Sequence, residues 1–96
     1  MPFINLAVQI IPKSSTVDMY TLIDLAIGEI QKSGLKFLVC PFETVIEGEY
    51  EQVMEVVKKA QEICLLSGAD EVIVNIKIHR SAQKDLFFDD KINKFK

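Results

Sequence analysis

Hydrophobic residues repeat along the chain with two different periods, and the change of period indicates the order of its elements. In residues 3–12 a large aliphatic residue stands at every second position, which is typical of a strand with one apolar face. Residues 19–33 and 49–67 instead carry apolar residues at steps of three and four, which predicts two amphipathic helices. Period-two segments return at residues 36–40, 44–47 and 70–80. The pattern therefore predicts the order strand, helix, strand, strand, helix, strand.

Proline and glycine residues separate these segments. Pro12 ends the first strand, because proline cannot donate a hydrogen bond to a neighbouring strand. Gly34 and Gly68 follow the two helices, where glycine is the usual stop. Gly48 is expected to open the second helix. Gly28 lies inside the first helix, and we interpret it as a point of close backbone approach.

The predicted order is the split βαβ arrangement of the ferredoxin-like sandwich. We expect one α+β domain covering residues 1–96, with a four-stranded antiparallel sheet and both helices on one face. The first and third strands should lie in the centre of the sheet. Pro41 follows the second strand closely, which favours an edge position for that strand. Residues 81–96 form a C-terminal tail with a short helix, capped by Asp89 or Asp90.

The sheet face away from the helices has a mixed composition. On the predicted register it carries the following residues: Asn5, Ala7, Gln9, Ile11, Leu38, Cys40, Val45, Glu47, Ile73, Asn75, Lys77 and His79. This set is too apolar for a solvated surface and too polar for a core, so it is typical of an interface. The tail adds Phe87, Phe88 and Phe95, whose large apolar side chains also need to be buried from water. We therefore predict a homo-oligomer, formed by sheet faces or edges, in which the tail docks on a neighbouring subunit.

Composition and charge narrow the classes of function. Hydrophobic residues make up 49% of the chain, charged residues 26%, and the formal net charge is −3. The acidic balance provides no electrostatic reason to expect a nucleic acid or an anionic membrane surface as partner. No apolar run approaches the roughly 20 residues that span a bilayer. The period-two pattern of the first strand begins already at Phe3. These features favour a cytoplasmic protein.

The sequence contains no recognisable catalytic or metal-binding motif. Cys40 and Cys64 match no metal or redox spacing, and His79 is the single histidine. We interpret the cysteines as free thiols. No Ser-His-Asp or Cys-His set and no glycine-rich phosphate loop can be assembled. We therefore expect no metal, no cofactor and no enzymatic activity.

Carboxylates and a hydroxyl cluster between the second strand and the second helix, and this cluster is our candidate ligand site. Thr44, Glu47 and Glu49 lie within six residues. Each has an ordinary alternative explanation. Glu49 suits the positive end of a helix dipole, Thr44 is a good strand residue, and Glu47 could cap the helix or pair with Lys77 or Arg80 of a neighbouring subunit.

Asn5 and Gln9, on the open sheet face, are further candidate ligand contacts. Their alternative interpretation is that of hydrogen-bonded polar groups within a subunit interface.

Several segments together resemble one known family. They are Ile11-Pro12, Ser33-Gly34-Leu35-Lys36-Phe37, Pro41 with Thr44, Ile46-Glu47-Gly48-Glu49 before Val53-Met54, and Ile76-Lys77-Ile78. The chain resembles the small thiamine-binding proteins of about 100 residues with a ferredoxin-like fold, over essentially its whole length. The most specific element is Thr-x-x-Glu-Gly-Glu. The resemblance implies a homodimer or homotetramer that binds thiamine or its hydroxymethylpyrimidine part. Phe42 and Glu43 replace the smaller or polar residues usual in the family, and Phe42 is expected to narrow the pocket.

The function expected from the sequence is therefore non-catalytic binding of thiamine or a related pyrimidine by a cytosolic homo-oligomer. In this interpretation Glu47 accepts a hydrogen bond from the exocyclic amine or compensates the thiazolium charge. Thr44 donates or accepts nearby, and Glu49 adds negative charge at the mouth. The alternative is a structural or regulatory homo-oligomer without a small-molecule ligand, in which the carboxylates serve subunit pairing.

Overall fold

The computed structural model describes residues 2–96 and contains seven helices and strands. They are β1 (Phe3–Lys13), α1 (Met19–Lys32), β2 (Lys36–Val39), β3 (Thr44–Glu49), α2 (Tyr50–Leu66), β4 (Glu71–His79) and α3 (Phe88–Ile92), and a 3-10 turn, Asn93–Phe95, follows them. All pairings are antiparallel and the strand order is β2-β3-β1-β4. This confirms the ferredoxin-like α+β fold, with β1 and β3 in the centre and β2 at an edge.

The core lies between the sheet and helices α1 and α2. Ile4, Leu6 and Val8 of β1 are at most 3% exposed, as the alternation of the sequence predicts. Ile46 of β3 is fully buried beside them. The helices contribute most of the other buried members of this cluster, and Ala69 follows α2: Leu22, Ala26, Ile30, Val53, Val56, Val57, Ala60, Cys64 and Ala69. Both helices therefore cover the same face of the sheet, because one face of each strand carries the apolar residues.

The first helix begins and ends as its flanking residues predict. The Asp18 side chain accepts a hydrogen bond from the Thr21 backbone N–H at 3.2 Å, which satisfies one of the free donors at the helix start. Gly34, just after the helix, has a φ of 75°, a conformation that favours glycine. The interpretation of Gly28 is wrong, because a Cβ atom placed there would meet nothing within 4 Å.

The expected start of the second helix is also wrong. Gly48 belongs to β3, where it pairs with Ile4, and α2 begins only at Tyr50. A Cβ atom at Gly48 would lie 3.3 Å from side-chain atoms of both Leu35 and Val53. The glycine is therefore explained by the close packing of α2 and of the segment before β2 on this strand.

The period-two pattern of the last strand predicts Ile76 and Ile78 on the core face. They do share the face of the buried Val8 and Leu6, with which they pair, but they are 38% and 42% exposed, because the core cluster reaches β4 only at Val72 and Val74. Asp89 and Asp90 do not cap α3. Both lie in its first turn, and the N-cap position is held by Phe87.

Candidate functional site

The strand register determines which sheet face each candidate residue occupies. Asn5 pairs with Glu47 on one side and His79 on the other, and Gln9 pairs with Asn75. These residues share the face away from the helices, as predicted. Thr44, in contrast, pairs with the buried Val8 and faces the helices. Since side chains alternate between faces along a strand, Thr44 and Glu47 lie on opposite sides of the sheet.

A cleft opens beside α1 where the central pair of strands stops pairing. The register between β1 and β3 ends at Val8 and Thr44, whereas β1 continues to Lys13 paired with β4 alone. The space next to this extension is bounded by the apolar side of α1 and by residues 39–44. We call this cavity of about 380 Å³ the α1 cleft.

The α1 cleft combines apolar walls with a few polar groups. Ile23 and Ile27 of α1 line one side, and Thr44, 7% exposed, lies opposite with Gln9. The side chain of Gln9 itself lies on the open face of the sheet, where its Oε1 accepts a hydrogen bond from the Asn75 side chain at 3.1 Å. An apolar cavity with a small number of polar anchors is the usual composition of a small-molecule site.

The rim of the α1 cleft carries two aromatic rings and a carboxylate. Tyr20 is 69% exposed and Phe42 is 82% exposed, so neither ring is held in the core. Glu43 lies on the same rim, and its Oε2 is 3.1 Å from the Lys77 Nζ. Exposed aromatic faces and a carboxylate both attract cations. The entrance of the cleft is therefore suited to a positively charged group.

A second cavity, the tail pocket, lies on the open sheet face beneath the C-terminal tail. It has a volume of about 420 Å³, with Ala7 and Val45 of the central strands among its lining residues. Asn5 lines it too and is 8% exposed. The Asn5 amide donates to the Leu86 carbonyl at 3.0 Å, and within residues 2–96 its Oδ1 finds no hydrogen-bond partner. Asn5 therefore belongs to a different cavity from Thr44.

Glu47 is engaged by the tail of its own chain. The residue is 6% exposed, and its Oε1 accepts a hydrogen bond from the Phe88 backbone N–H. Its Oε2 lies 3.9 Å from the Lys36 Nζ, which is also 3.2 Å from Asp89. Glu47 is not a helix cap. Its role as a ligand anchor stays a prediction, but its carboxylate already has structural partners.

The tail also makes backbone contacts with the first strand. The Leu86 N–H donates to the Phe3 carbonyl at 3.0 Å, and the Phe3 N–H donates to Asp85 Oδ1 at 2.7 Å. Leu86 and Phe88 are 7% and 9% exposed. The tail thus covers one end of the open face of its own sheet. Docking of the remaining tail residues on a neighbouring subunit stays a prediction.

Glu49 lies at the far end of β3 from Thr44, at the N-cap position of α2. Its side chain makes no capping hydrogen bond, and it acts on the helix through its charge alone.

Of the five predicted site residues, the structure brings only Gln9 and Thr44 to one cavity. Tyr20 lines the same cavity and was not among the predicted site residues; the signal that could have found it is its spacing of three and seven residues from Ile23 and Ile27, which places all three on one side of α1.

Neither cysteine takes part in a disulfide, as predicted. Cys64 is fully buried, and this burial raises the pKa of its thiol, so that it stays protonated. Cys40 lies at the edge of both cavities.

Within the part of the chain that the structure describes, no cluster of His, Cys, Asp and Glu could hold a metal ion. Over the same range no helix has both the length and the apolar character needed to cross a membrane.

A family model described as thiamine-binding protein matches residues 6–96. The chain belongs to the thiamine-binding protein family. A UPF0045 protein of Clostridium perfringens is 37% identical over 92 residues, which is 96% of each chain. The resemblance drawn from the sequence is thereby confirmed.

Two solved structures share this fold. A domain of unknown function, DUF77, from Bacillus cereus has a TM-score of 0.97 at 36% identity and covers 99% of this chain and 91% of its own. A Thermotoga maritima protein, whose name refers to thiamine biosynthesis or salvage, has a TM-score of 0.87 at 25% identity, with 99% and 100% covered. The names of the family and of this neighbour both refer to thiamine, which suggests a small-molecule ligand.

Proposed function

We propose that this protein binds thiamine or a related aminopyrimidine in the α1 cleft, without catalysing a reaction. The observation that carries the proposal is that the buried Thr44 lies in the largely apolar wall of this cleft, while Glu43, Tyr20 and Phe42 lie at its rim. Thiamine has the same division, with an uncharged aminopyrimidine at one end and a cationic thiazolium at the other. Membership of the thiamine-binding family supports the assignment.

The inner part of the cleft suits the aminopyrimidine. The Thr44 hydroxyl can both donate and accept, so it can meet a ring nitrogen or the exocyclic amine. The apolar side chains of Ile23 and Ile27 cover the faces of a flat ring. The volume of about 380 Å³ lies within the usual range for small-molecule sites.

The entrance suits the thiazolium. A cation over the face of an aromatic ring is stabilised by roughly 0.5–2 kcal/mol, depending on how far it is desolvated. Tyr20 and Phe42 offer two such faces. The Glu43 carboxylate can neutralise the ligand charge once it exchanges Lys77 for the thiazolium. Phe42 and Glu43 depart from the usual family residues, and in this proposal they serve the charged half of the ligand.

Binding without catalysis fits the groups that line the cleft. Glu43 is the one carboxylate among the residues that line the α1 cleft. The single histidine of the chain, His79, lines the tail pocket instead. A general acid and a general base both need to lie within hydrogen-bond reach of the reacting group. The cleft therefore offers recognition groups rather than an acid–base pair.

We expect calorimetry to detect thiamine binding and the Thr44→Val variant to bind about tenfold more weakly, because one hydrogen bond to a buried polar group is worth about 1.4 kcal/mol. Thr21→Val is the matched control, since Thr21 is exposed and does not line the cleft. Glu43→Gln should weaken thiamine but leave uncharged hydroxymethylpyrimidine unaffected. Absence of binding of both compounds at millimolar concentration would contradict the proposal and favour a structural role without a ligand.

Self-association belongs to the same proposal. Part of the open face lies outside the tail pocket, where Ile11 pairs with Ile73, which is 43% exposed. Exposed apolar side chains on a sheet face are stabilised when a second copy of the chain covers them. Sedimentation velocity should show a dimer or tetramer at micromolar concentration, and Ile73→Lys should shift it toward monomer. A wild-type protein that sediments as a monomer would remove this part of the proposal.

A further inference from the structure

We propose that the tail pocket is a second ligand site, which takes a flat heteroaromatic carboxylate that carries a ring N–H. Nothing in the thiamine proposal uses this pocket, since the α1 cleft lies beyond the end of β3 and the tail pocket lies on the opposite face of the sheet. The inference rests on an unsatisfied acceptor, a pair of basic side chains and the apolar surface between them.

The acceptor is the side-chain oxygen of Asn5. The hydrogen bond from Asn5 Nδ2 to the Leu86 carbonyl determines which end of the amide is nitrogen, because a carbonyl can only accept. The remaining oxygen is buried and accepts nothing from residues 2–96. A buried acceptor without a donor is unfavourable, so a ligand N–H placed there replaces a missing interaction.

The basic pair is formed by Lys91 of α3 and His79 of β4. The Lys91 Nζ lies 2.7 Å from His79 Nδ1, and both residues line the pocket. Among residues 2–96 the carboxylates that form ion pairs do so with Lys13, Lys32, Lys36 or Lys77, and none lies within 4.0 Å of Lys91. Lys77, also on the pocket wall, is paired with Glu43. Lys91 is therefore the cation at this pocket that can accept an anion without breaking an ion pair.

The surface between these groups is apolar and sized for one small ring system. Ala7, Val45 and Ile92 line it, and the whole pocket measures about 420 Å³. A flat ring on this surface can direct an N–H toward Asn5 and a carboxylate toward Lys91. The basic side chains disfavour thiamine itself, because its thiazolium carries the same sign of charge.

Orotate is the probe, since it combines a flat pyrimidine ring, ring N–H donors and a carboxylate. His79 is the single histidine of the chain, so its ring signals in NMR report this pocket alone. We expect orotate to shift the His79 signals in a saturable way. Uracil, which lacks the carboxylate, and benzoate, which lacks the N–H, should each bind at least fivefold more weakly. Equal binding of all three compounds would overturn the assigned chemistry.

The Lys91→Gln variant should reduce the affinity for orotate at least fivefold. Lys94→Gln, in the same tail but outside the pocket lining, is the matched control and should bind as the wild type does. Thiamine should not shift the His79 signals. Absence of orotate binding at this pocket can therefore be distinguished from absence of thiamine binding at the α1 cleft. Two results would overturn the proposal. The first is the absence of a His79 shift at millimolar orotate. The second is a set of His79 signals that change with protein concentration and not with orotate, which would assign the pocket to a second copy of the chain.

Discussion

Replacing Ile46 by alanine is expected to lower the free energy of unfolding by about 3 kcal/mol, which is typical of removing a large aliphatic side chain from a packed core. Ile46 is fully buried in the central strand β3 and pairs with Leu6 and Phe37. The loss combines the transfer of the side chain to water with the cavity that it leaves. A loss of this size is a large fraction of the stability of a small domain, which is about 5–15 kcal/mol.

Urea unfolding of Ile46→Ala measures this loss, and Val45→Ala is the matched control. Val45 is the preceding residue of the same strand, on the open face, and is half-buried. Its truncation should cost about 1 kcal/mol or less, because the side chain has less apolar surface to lose. If the two variants lost equal stability, the division of β3 into a core face and an open face would be wrong.

Glu47→Ala is expected to cost about 2 kcal/mol, since it leaves the buried Phe88 N–H without its acceptor. Lys36 would lose one of its two carboxylates and keep Asp89. The tail is held to the sheet partly through this carboxylate, so its hydrogen bonds should open more often. Hydrogen exchange of the Phe88 amide would report this directly, with a larger increase than for amides of β1.

Glu49→Ala provides the comparison for Glu47→Ala, because the two glutamates flank the same glycine. Glu49 makes no side-chain hydrogen bond, and its favourable interaction with the helix dipole is worth about 0.5 kcal/mol. Glu47→Gln should fall between them, since an amide oxygen can still accept from Phe88. A Glu47→Ala variant as stable as Glu49→Ala would show that the tail does not depend on this contact.

Much of the fold follows from local pattern. The alternation of apolar residues in β1 predicts Ile4, Leu6 and Val8 as core residues, and the structure buries all three. The members of the open face were predicted by the same argument, and the register confirms all of them except Cys40, which lies beyond the end of β2. Local pattern fails at Gly48. This residue looks like a helix opener in sequence and is instead a strand residue that packs closely against Leu35 of an earlier segment and Val53 of the following helix.

The candidate site was predicted less well, for a physical reason. Thr44 and Glu47 are neighbours in sequence, and the interpretation joined them in one site. An odd spacing within a strand directs two side chains to opposite faces, so the tertiary structure separates them. Gln9 and Thr44 are 35 residues apart in numbering and line one cleft because the pairing of β3 with β1 ends next to them, although their side chains lie on opposite faces of the sheet.

The sequence by itself therefore determined the order of the elements, their buried faces and the family, because each of these is written in local periodicity or in short motifs. Only the tertiary structure decided where the cavities lie. The α1 cleft depends on the point at which one strand stops pairing. The tail pocket depends on hydrogen bonds between residues 81 and 82 positions apart, from Asn5 to Leu86 and from Phe3 to Asp85. Contacts over such separations leave no periodic trace in the segments that make them.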